Sequence, residues 1–355
     1  MSSGGAEDAL RFAGRTSSDP AKAVSRWKAL SGGKAAGCLP LYIPEEILHA
    51  AGMLPVTICG DEYRGLPEPS PWEILDGWVL PPVSGLPPES LNFLPEAFPV
   101  LPQVSLCFTS RGMKVPSAEE TLDRVELLRE WAGDVSGRPA NDGALGKSIS
   151  VYNENRRLFS ALEGRLASAP GVYSAVEVFR LFRSASALPR EAHTELLRAA
   201  LSRDPANVRR FRARVFLGGM TALLPVMEAI EAAGAALVGE ALEAGHRTPE
   251  AMVDEEGDPA LALARCLRSR MLGLAEEVVD PSWAVRLLDR VEASGADRFL
   301  HLGTGVAAHT ENIGKLAEGA EKRGIPFLCL EMALSPGGTE RRQERIASFL
   351  RETCY

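Results

Sequence analysis

The stretch that decides the fold runs from Gly33 to Gly60, GKAAGCLPLYIPEEILHAAGMLPVTICG. It reads as strand, short helix, strand. Ala35 to Tyr42 is mostly apolar and stops short of Pro44. Pro44 suits the first helical position, because its missing N–H would have no intrahelical partner there. Glu45 and Glu46 fall in the first turn, beside the positive helix end. Ile47, Leu48 and Ala51 recur at helical spacing, Gly52 supplies a left-handed stop, and Leu54 to Cys59 resumes extended chain. In such units ligands collect beyond the carboxyl ends of strands, so the mouth between Tyr42 and Pro44 is where a ligand can meet a helix N-terminus.

Outward from this stretch the chain divides into four parts. Residues 1–34 form an N-terminal helical segment, in which 1–16 are small, polar and read as loose, and Pro20 to Leu30 is helical with Val24, Trp27 and Leu30 inward. Residues 35–116 form a first α/β domain with a Pro-rich arm. Ten prolines between Asp61 and Pro102 exclude long helices there, leaving strands at Trp78–Leu80 and Val104–Phe108. The arm reads as a rigid connection wrapped over the first domain; the other reading is a docking arm anchored by Trp72, Trp78, Phe93 and Phe98. Residues 117–211 are a helical segment packing on the first domain. It opens on a capping box, Ser117 with Glu120, and helices follow over 141–167, 174–186 and 190–202. Residues 212–355 alternate again. Strands are expected at 213–217, 235–239, 299–302 and 326–330, with Gly218-Gly219 as a turn, and helices at 221–233, 258–270, 281–294, 311–323 and 341–352. Strands alternating with helices mean parallel sheets covered on both faces, so the fold class is α/β with two parallel-sheet domains and a helical segment between them.

Composition narrows the function. The chain has 355 residues, more than one ordinary core accommodates. Its net charge of −8 disfavours a non-specific nucleic-acid surface. No apolar run is long enough to cross a bilayer, and MSSGGAEDAL lacks the basic start and apolar core of a signal peptide, so a cytoplasmic location is expected, with neither membrane nor nucleic acid as partner. The six cysteines, Cys38, Cys59, Cys107, Cys266, Cys329 and Cys354, form no CxxC pair, and reduced thiols are their expected state.

The strand-end rule nominates four places: Tyr42 to His49, Gly218 to Thr221, Glu240 to Arg247, and Gly303 to Asn312. Glu45, Glu46 and His49 are the candidates for acid/base chemistry, and His49 can reach Glu45 across i,i+4. A histidine satisfying a domain contact is the plainer reading of His49. Tyr42, Gly218, Gly219, Arg247, Gly303, Gly305 and His309 are candidates for substrate contact, the glycines because they let backbone amides approach an anion. None of them completes a GxGxxG or P-loop spacing. No histidine pattern has metal-ligand spacing, and no G-x-S-x-G elbow marks a hydrolase.

Five segments resemble one family. GGKAAGCLPLYIPEEILHAAGMLPV (32–56) resembles the N-terminal motif of benzoyl-CoA reductase and 2-hydroxyacyl-CoA dehydratase subunits, the 2-hydroxyglutaryl-CoA dehydratase D-component family. SISVYNENRRL (148–158) resembles its central helix. VFLGGMTALLPVMEAIEAAGAALVGEALEAGHR (215–247) is similar to its second α/β unit, and DPALALARCL (258–267) and KRGIPFLCLEMALSPGGTERRQERIASFL (322–350) follow in the same order. The resemblance implies two Rossmann-like domains, pairing with a related subunit, a [4Fe–4S] cluster on three cysteines beside an acyl-CoA site, and an ATP-dependent activator that supplies a low-potential electron. The departures fall on the cluster. The segment of the first ligand is shortened to DEYRGLPEPSPWE (61–73), Ser84 aligns with the second cysteine, and Val306 lies where the third is expected. Glu243 replaces a further cysteine ahead of Gly245-His246-Arg247. Together these imply a cluster-free, non-redox subunit with no metal or cofactor on this chain, supporting acyl-CoA binding or the architecture of a homologous, [4Fe–4S]-bearing partner. Two alternatives are an active reductase or dehydratase subunit with a relocated cluster, and a stand-alone binding or regulatory homodimer.

Overall fold

The computed structural model describes residues 4–38, 43–58, 71–80, 101–106, 116–206, 208–219, 223–242, 252–279, 282–303, 307–331 and 339–351; at 4, 71, 273–279, 307–312 and 339 it describes the backbone alone. Two four-stranded sheets, every pairing parallel, organise the chain. The first contains β1 (Lys34–Cys38), β2 (Met53–Thr57), β3 (Gly77–Leu80) and β4 (Gln103–Ser105), in the order β2-β1-β3-β4. The second contains β5 (Ala213–Gly219), β6 (Ala235–Leu242), β7 (Arg298–Gly303) and β8 (Phe327–Glu331), in the order β6-β5-β7-β8. The two orders are the same, a Rossmann-like winding repeated without sequence periodicity. In each, the chain reverses its direction of travel across the sheet between the first and third strands, and the crevice beyond the carboxyl ends opens there.

Between β1 and β2 lies α3 (Glu45–Ala50); Pro44 is its N-cap and not its first helical residue, and Gly52, with a φ of 73°, takes the left-handed conformation the sequence anticipated. Ile47, Leu48 and Ala51 are fully buried against the first sheet. The N-terminal residues are not loose. Helix α1 (Gly4–Ser18) carries Ala6, Ala9, Leu10 and Ala13 on one buried stripe, and these small side chains let its backbone approach the helices of the second core closely. Small residues read as flexible in isolation; here they are a packing face. Helix α2 (Pro20–Ser31) is capped by Asp19, which accepts a bond from the Lys22 amide.

The helical segment contains α4 (Ala118–Ser136), α5 (Asp142–Ser168), α6 (Ala175–Ser184) and α7 (Arg190–Leu201). Both capping-box bonds form at Ser117 and Glu120, and again at Ser174 and Glu177. At 27 residues, α5 is about 40 Å long and reaches two cores. Its Leu145 and Ile149 pack with α3, α4 and one face of the first sheet; its Phe159, Leu162 and Leu166 pack with α1, α6, α7 and one face of the second.

Around the second sheet lie α8 (Leu224–Ala232), α9 (Pro259–Val279), α10 (Ser282–Ala293), α11 (Ala307–Lys322) and α12 (Thr339–Arg351). Helices α8 and α12 cover one face with Ile230, Ile346 and Leu350; α10 and α11 cover the other with Leu288, Val291 and Leu316. Helix α9 returns to the first sheet's core, where Leu263, Leu267 and Met271 meet α4 and α5. It runs nine residues past the expected Arg270. Gly218 and Gly219 are not a turn: they are the last two rungs of β5, paired with Ala241 and Leu242 of β6 and with His301 and Leu302 of β7. Trp72 and Trp78 are buried with Leu54, Val56 and Ile58 on the other face of the first sheet, so they are core residues, not surface anchors. Phe93 and Phe98 lie outside the described residues. Among the described residues no helix is long and apolar enough to cross a membrane.

Candidate functional site

The two apolar ends of α5 are separated by a buried polar belt, and this belt meets the carboxyl end of the first sheet. Counting the apolar face of α5 forward from Leu145 and Ile149 at helical spacing lands on Tyr152 and Arg156 before Phe159. Tyr152, Asn153, Asn155 and Arg156 are all at most 5% exposed. Buried charge and amide groups are tolerated only when paired, and each of them finds a partner on another element.

Glu45, in the first turn of α3, accepts from three directions. Thr57 Oγ1, at the end of β2, donates to Oε1 at 3.0 Å; Arg190 Nη2 of α7 donates to Oε2 at 2.5 Å, and the Tyr152 hydroxyl at 3.3 Å. The Arg190 guanidinium also sits 4.6 Å from the centre of the Tyr152 ring, a cation–π contact. Burial first, then Glu45, pushes the Tyr152 hydroxyl well above its ordinary range. Burial opposes the charge of Arg190, but Tyr152 and Glu45 outweigh it and raise its pKa.

Glu46 is 1% exposed and ion-paired with Arg156, itself 4% exposed. Burial works against its charge, yet Arg156 and Arg270 hold the carboxyl below its usual range. Arg156 Nη1 also donates to Asn153 Oδ1 at 3.0 Å. Asn153 in turn clamps the segment leaving the second sheet: its Nδ2 donates to the Val253 carbonyl at 2.7 Å and to Glu255 at 2.9 Å, and its Oδ1 accepts from the Val253 amide at 3.0 Å. One helix thus ties the first sheet's carboxyl end to the strap between β6 and α9.

His49 does not bond Glu45. Its Nδ1 lies 2.8 Å from Ser148 Oγ, and its Nε2 lies 2.9 Å from Glu191 Oε1. Ser148 Oγ also donates to the Glu46 carbonyl at 2.7 Å, which commits its single proton. The Glu191 carboxylate takes Nε2–H. The bond from His49 lowers the pKa of Glu191. Serine, histidine and carboxylate in a row suggest acyl transfer, but the serine is 1% exposed with its proton committed, while the acid is the exposed member. His49 is a three-element contact joining α3, α5 and α7. Deeper in, His193 is fully buried; burial, then Arg190, lowers its pKa to about 3, so Nε2–H donates to the Leu181 carbonyl and Nδ1 accepts from Asn155.

At the second sheet's switch point stand Gly218, Gly219 and Gly303. Gly219 has φ 111°, and a Cβ there would lie 2.1 Å from the Leu302 carbonyl oxygen, so the two neighbouring backbones touch. Gly303 ends β7 beside Cys329. Tyr42, Arg247 and Gly305 lie outside the described residues, as does the side chain of His309 on α11. The structure therefore gathers Glu45, Glu46 and His49 at one place, and Gly218, Gly219 and Gly303 at another. Sequence reading missed Tyr152, Asn153, Asn155, Arg156, Arg190 and His193. The missed signal is a run of polar residues landing on the apolar face of a long amphipathic helix.

The sequence pattern of a family described as 2-hydroxyglutaryl-CoA dehydratase, D-component, matches residues 106–352. This chain belongs to that family. Among relatives of this dehydratase D-component member, a benzoyl-CoA reductase subunit of Thauera aromatica is 25% identical over 92% of this chain and 93% of its own. The (R)-phenyllactyl-CoA dehydratase beta subunit of Clostridium sporogenes is 22% identical over 93% and 95%. The (R)-2-hydroxyglutaryl-CoA dehydratase beta subunit of Acidaminococcus fermentans is 27% identical over 40% and 43%.

The iron–sulfur cluster implied by the family resemblance needs thiolates converging on one point. Cys38, at the end of β1, is buried, and burial followed by Glu45 pushes its thiol well up. Burial also raises Cys266 on α9 and Cys329 on β8, the latter helped by Glu331. These thiols are kept neutral, and among the described residues no three of His, Cys, Asp and Glu are grouped to hold a metal ion. The described donors do not fit a cluster. Cys59, Cys107 and Cys354 lie outside the described residues.

Proposed function

We propose that this member of the dehydratase D-component family is a cluster-free, non-redox subunit of an acyl-CoA reductase or 2-hydroxyacyl-CoA dehydratase complex. Its partner is a homologous subunit that carries the [4Fe–4S] cluster and receives its electron from an ATP-dependent activator. The named relatives support a multi-subunit setting, one being a subunit of a reductase and the others beta subunits of dehydratases. The observation that carries the non-redox reading is the state of the site's own groups. Glu45 and Glu46 are each ion-paired with an arginine, and the described thiols, Cys38, Cys266 and Cys329, lie on three different elements, β1, α9 and β8. A carboxylate held in an ion pair with a guanidinium is poorly placed to move a proton, and a cluster needs thiolates that converge on one point. What such groups do well is hold backbone in place. In this reading the belt fixes the carboxyl end of the first sheet and the strap at Val253, giving the partner's acyl-CoA site a rigid wall.

Iron analysis after reconstitution tests it. The isolated chain is expected to retain no stoichiometric iron, and co-expression with a cysteine-complete homologous subunit is expected to give a complex whose iron follows that homologue alone. About four irons per isolated chain, the content of one [4Fe–4S] cluster, would overturn the proposal. A chain that remains a homodimer in the presence of every homologous subunit offered would support the regulatory alternative.

A further inference from the structure

The amino end of the second sheet, opposite its switch point, carries a concentration of positive charge. Between α7 and β5 the sequence Val208-Arg209-Arg210-Phe211-Arg212-Ala213-Arg214 places four arginines within six residues of a chain whose net charge is −8. Residues 208–212 and Arg214 are all exposed. Phe211 and Val208 are exposed large apolar side chains, at 37% and 45%.

The loop is held in shape at both ends. The Arg209 amide donates to the Gly171 carbonyl at 3.0 Å, and the Arg212 amide donates to the Gly234 carbonyl at 2.7 Å. Arg209 is used internally: its guanidinium bridges Glu177 and Glu231. The other three are not. Among the described residues no carboxylate lies in ion-pair range of Arg210, Arg212 or Arg214, although Asp297 accepts the backbone N–H of Arg214. The stem of Arg212 lies by Gly234, just past the end of α8, and Arg214 Nη1 lies by Gly295, just past the end of α10. The cation of Arg214 thus lies close to the C-terminal end of α10, where the negative dipole end favours it, and the stem of Arg212 lies close to that of α8.

We propose that this edge, Arg210, Arg212 and Arg214 around Phe211, docks an acidic segment of a partner polypeptide. Three guanidiniums with no carboxylate partner among the described residues match a run of Asp or Glu, and Phe211 with Val208 supplies the apolar centre that such contacts use. An extended polyanion such as a nucleic acid or an anionic membrane feels the whole chain's negative charge, whereas a short acidic segment meets the local positive field. The inference rests on the charge pattern and not on the acyl-CoA reading.

Fluorescence anisotropy of a labelled peptide of alternating Glu and Leu tests it on the full chain. Binding is expected to weaken as salt rises and to fall about tenfold or more in Arg210→Glu/Arg212→Glu, and severalfold in Phe211→Ala. Arg26→Glu, on the exposed face of α2, is expected to change nothing. Arg210→Gln/Arg212→Gln, which removes the charge without reversing it, should give an intermediate loss, and unchanged circular dichroism would show that each variant folds. Equal binding by the wild type and both double variants would overturn the proposal. So would tighter binding of single-stranded DNA or phosphatidylserine vesicles, lost in the same variants.

Discussion

Glu240 offers the sharpest test of how the second sheet is packed. It lies on β6, a strand buried along its whole length, and is 3% exposed. Arg290 of α10 donates to its backbone carbonyl at 3.0 Å, while burial, and then the charge of Glu163 on α5, push its carboxyl up to about 8 against the opposing pull of Arg290. The folded chain therefore holds this proton at pH 7, and the unfolded chain, with an ordinary value of 4.5, does not. More protons bound in the fold means stability falls as pH rises. The loss begins near the unfolded value and levels off above the folded one. Between 4.5 and 7 lie about 2.5 pH units at about 1.4 kcal/mol each, so ionisable Glu240 costs about 3 kcal/mol at pH 7. Glu240→Gln keeps the shape and removes the titration. In urea unfolding followed by circular dichroism, the variant's advantage over wild type should be small at pH 5. It should widen by about 1.4 kcal/mol per pH unit toward pH 8, then stop widening. In Glu163→Gln the same advantage should shrink, because one source of repulsion is gone. A constant offset between wild type and Glu240→Gln across pH 5 to 8 would refute the argument, since it would mean the buried carboxyl is already ionised.

Further outcomes follow from the site, a strand end and the surface of α5. Arg156→Met leaves Glu46 charged and buried and should cost about 3–5 kcal/mol in urea unfolding, whereas adding Glu46→Met should recover most of it; additive losses would refute the buried pair. Gly219→Ala should destabilise by more than about 3 kcal/mol or fail to fold, because the methyl meets the Leu302 carbonyl at a φ that alanine avoids. By contrast, Gly164→Ala, on the exposed side of α5 with nothing within 4 Å, should raise the melting temperature through about 0.5–1 kcal/mol of helix propensity.

Much of the architecture was legible because it is local. Pro44, the paired glutamates and Gly52 bound α3 by chemistry that acts within one helical turn, and the capping boxes at Ser117 and Ser174 mark helix starts in the same way. Alternation of apolar strands with amphipathic helices fixed the parallel sheets. Where local reading failed, a tertiary partner had changed the meaning of a residue. Ala6, Ala9 and Ala13 look like slack until neighbouring helices supply a groove. Gly218 and Gly219 look like a turn until the adjacent β7 backbone needs the space they leave. Trp72 and Trp78 look like surface anchors until the first sheet covers them.

By itself, then, the sequence determined most of the elements, their order and the family, since propensity, capping and hydrophobic period act between residues a few positions apart. Tertiary structure alone decided which charges are spent. Glu46 meets Arg156 across 110 positions and Glu45 meets Arg190 across 145, and no spacing rule reaches that far. Whether a carboxylate is a proton shuttle or a locked ion depends on burial and on the cation beside it, and both exist only once the chain has folded.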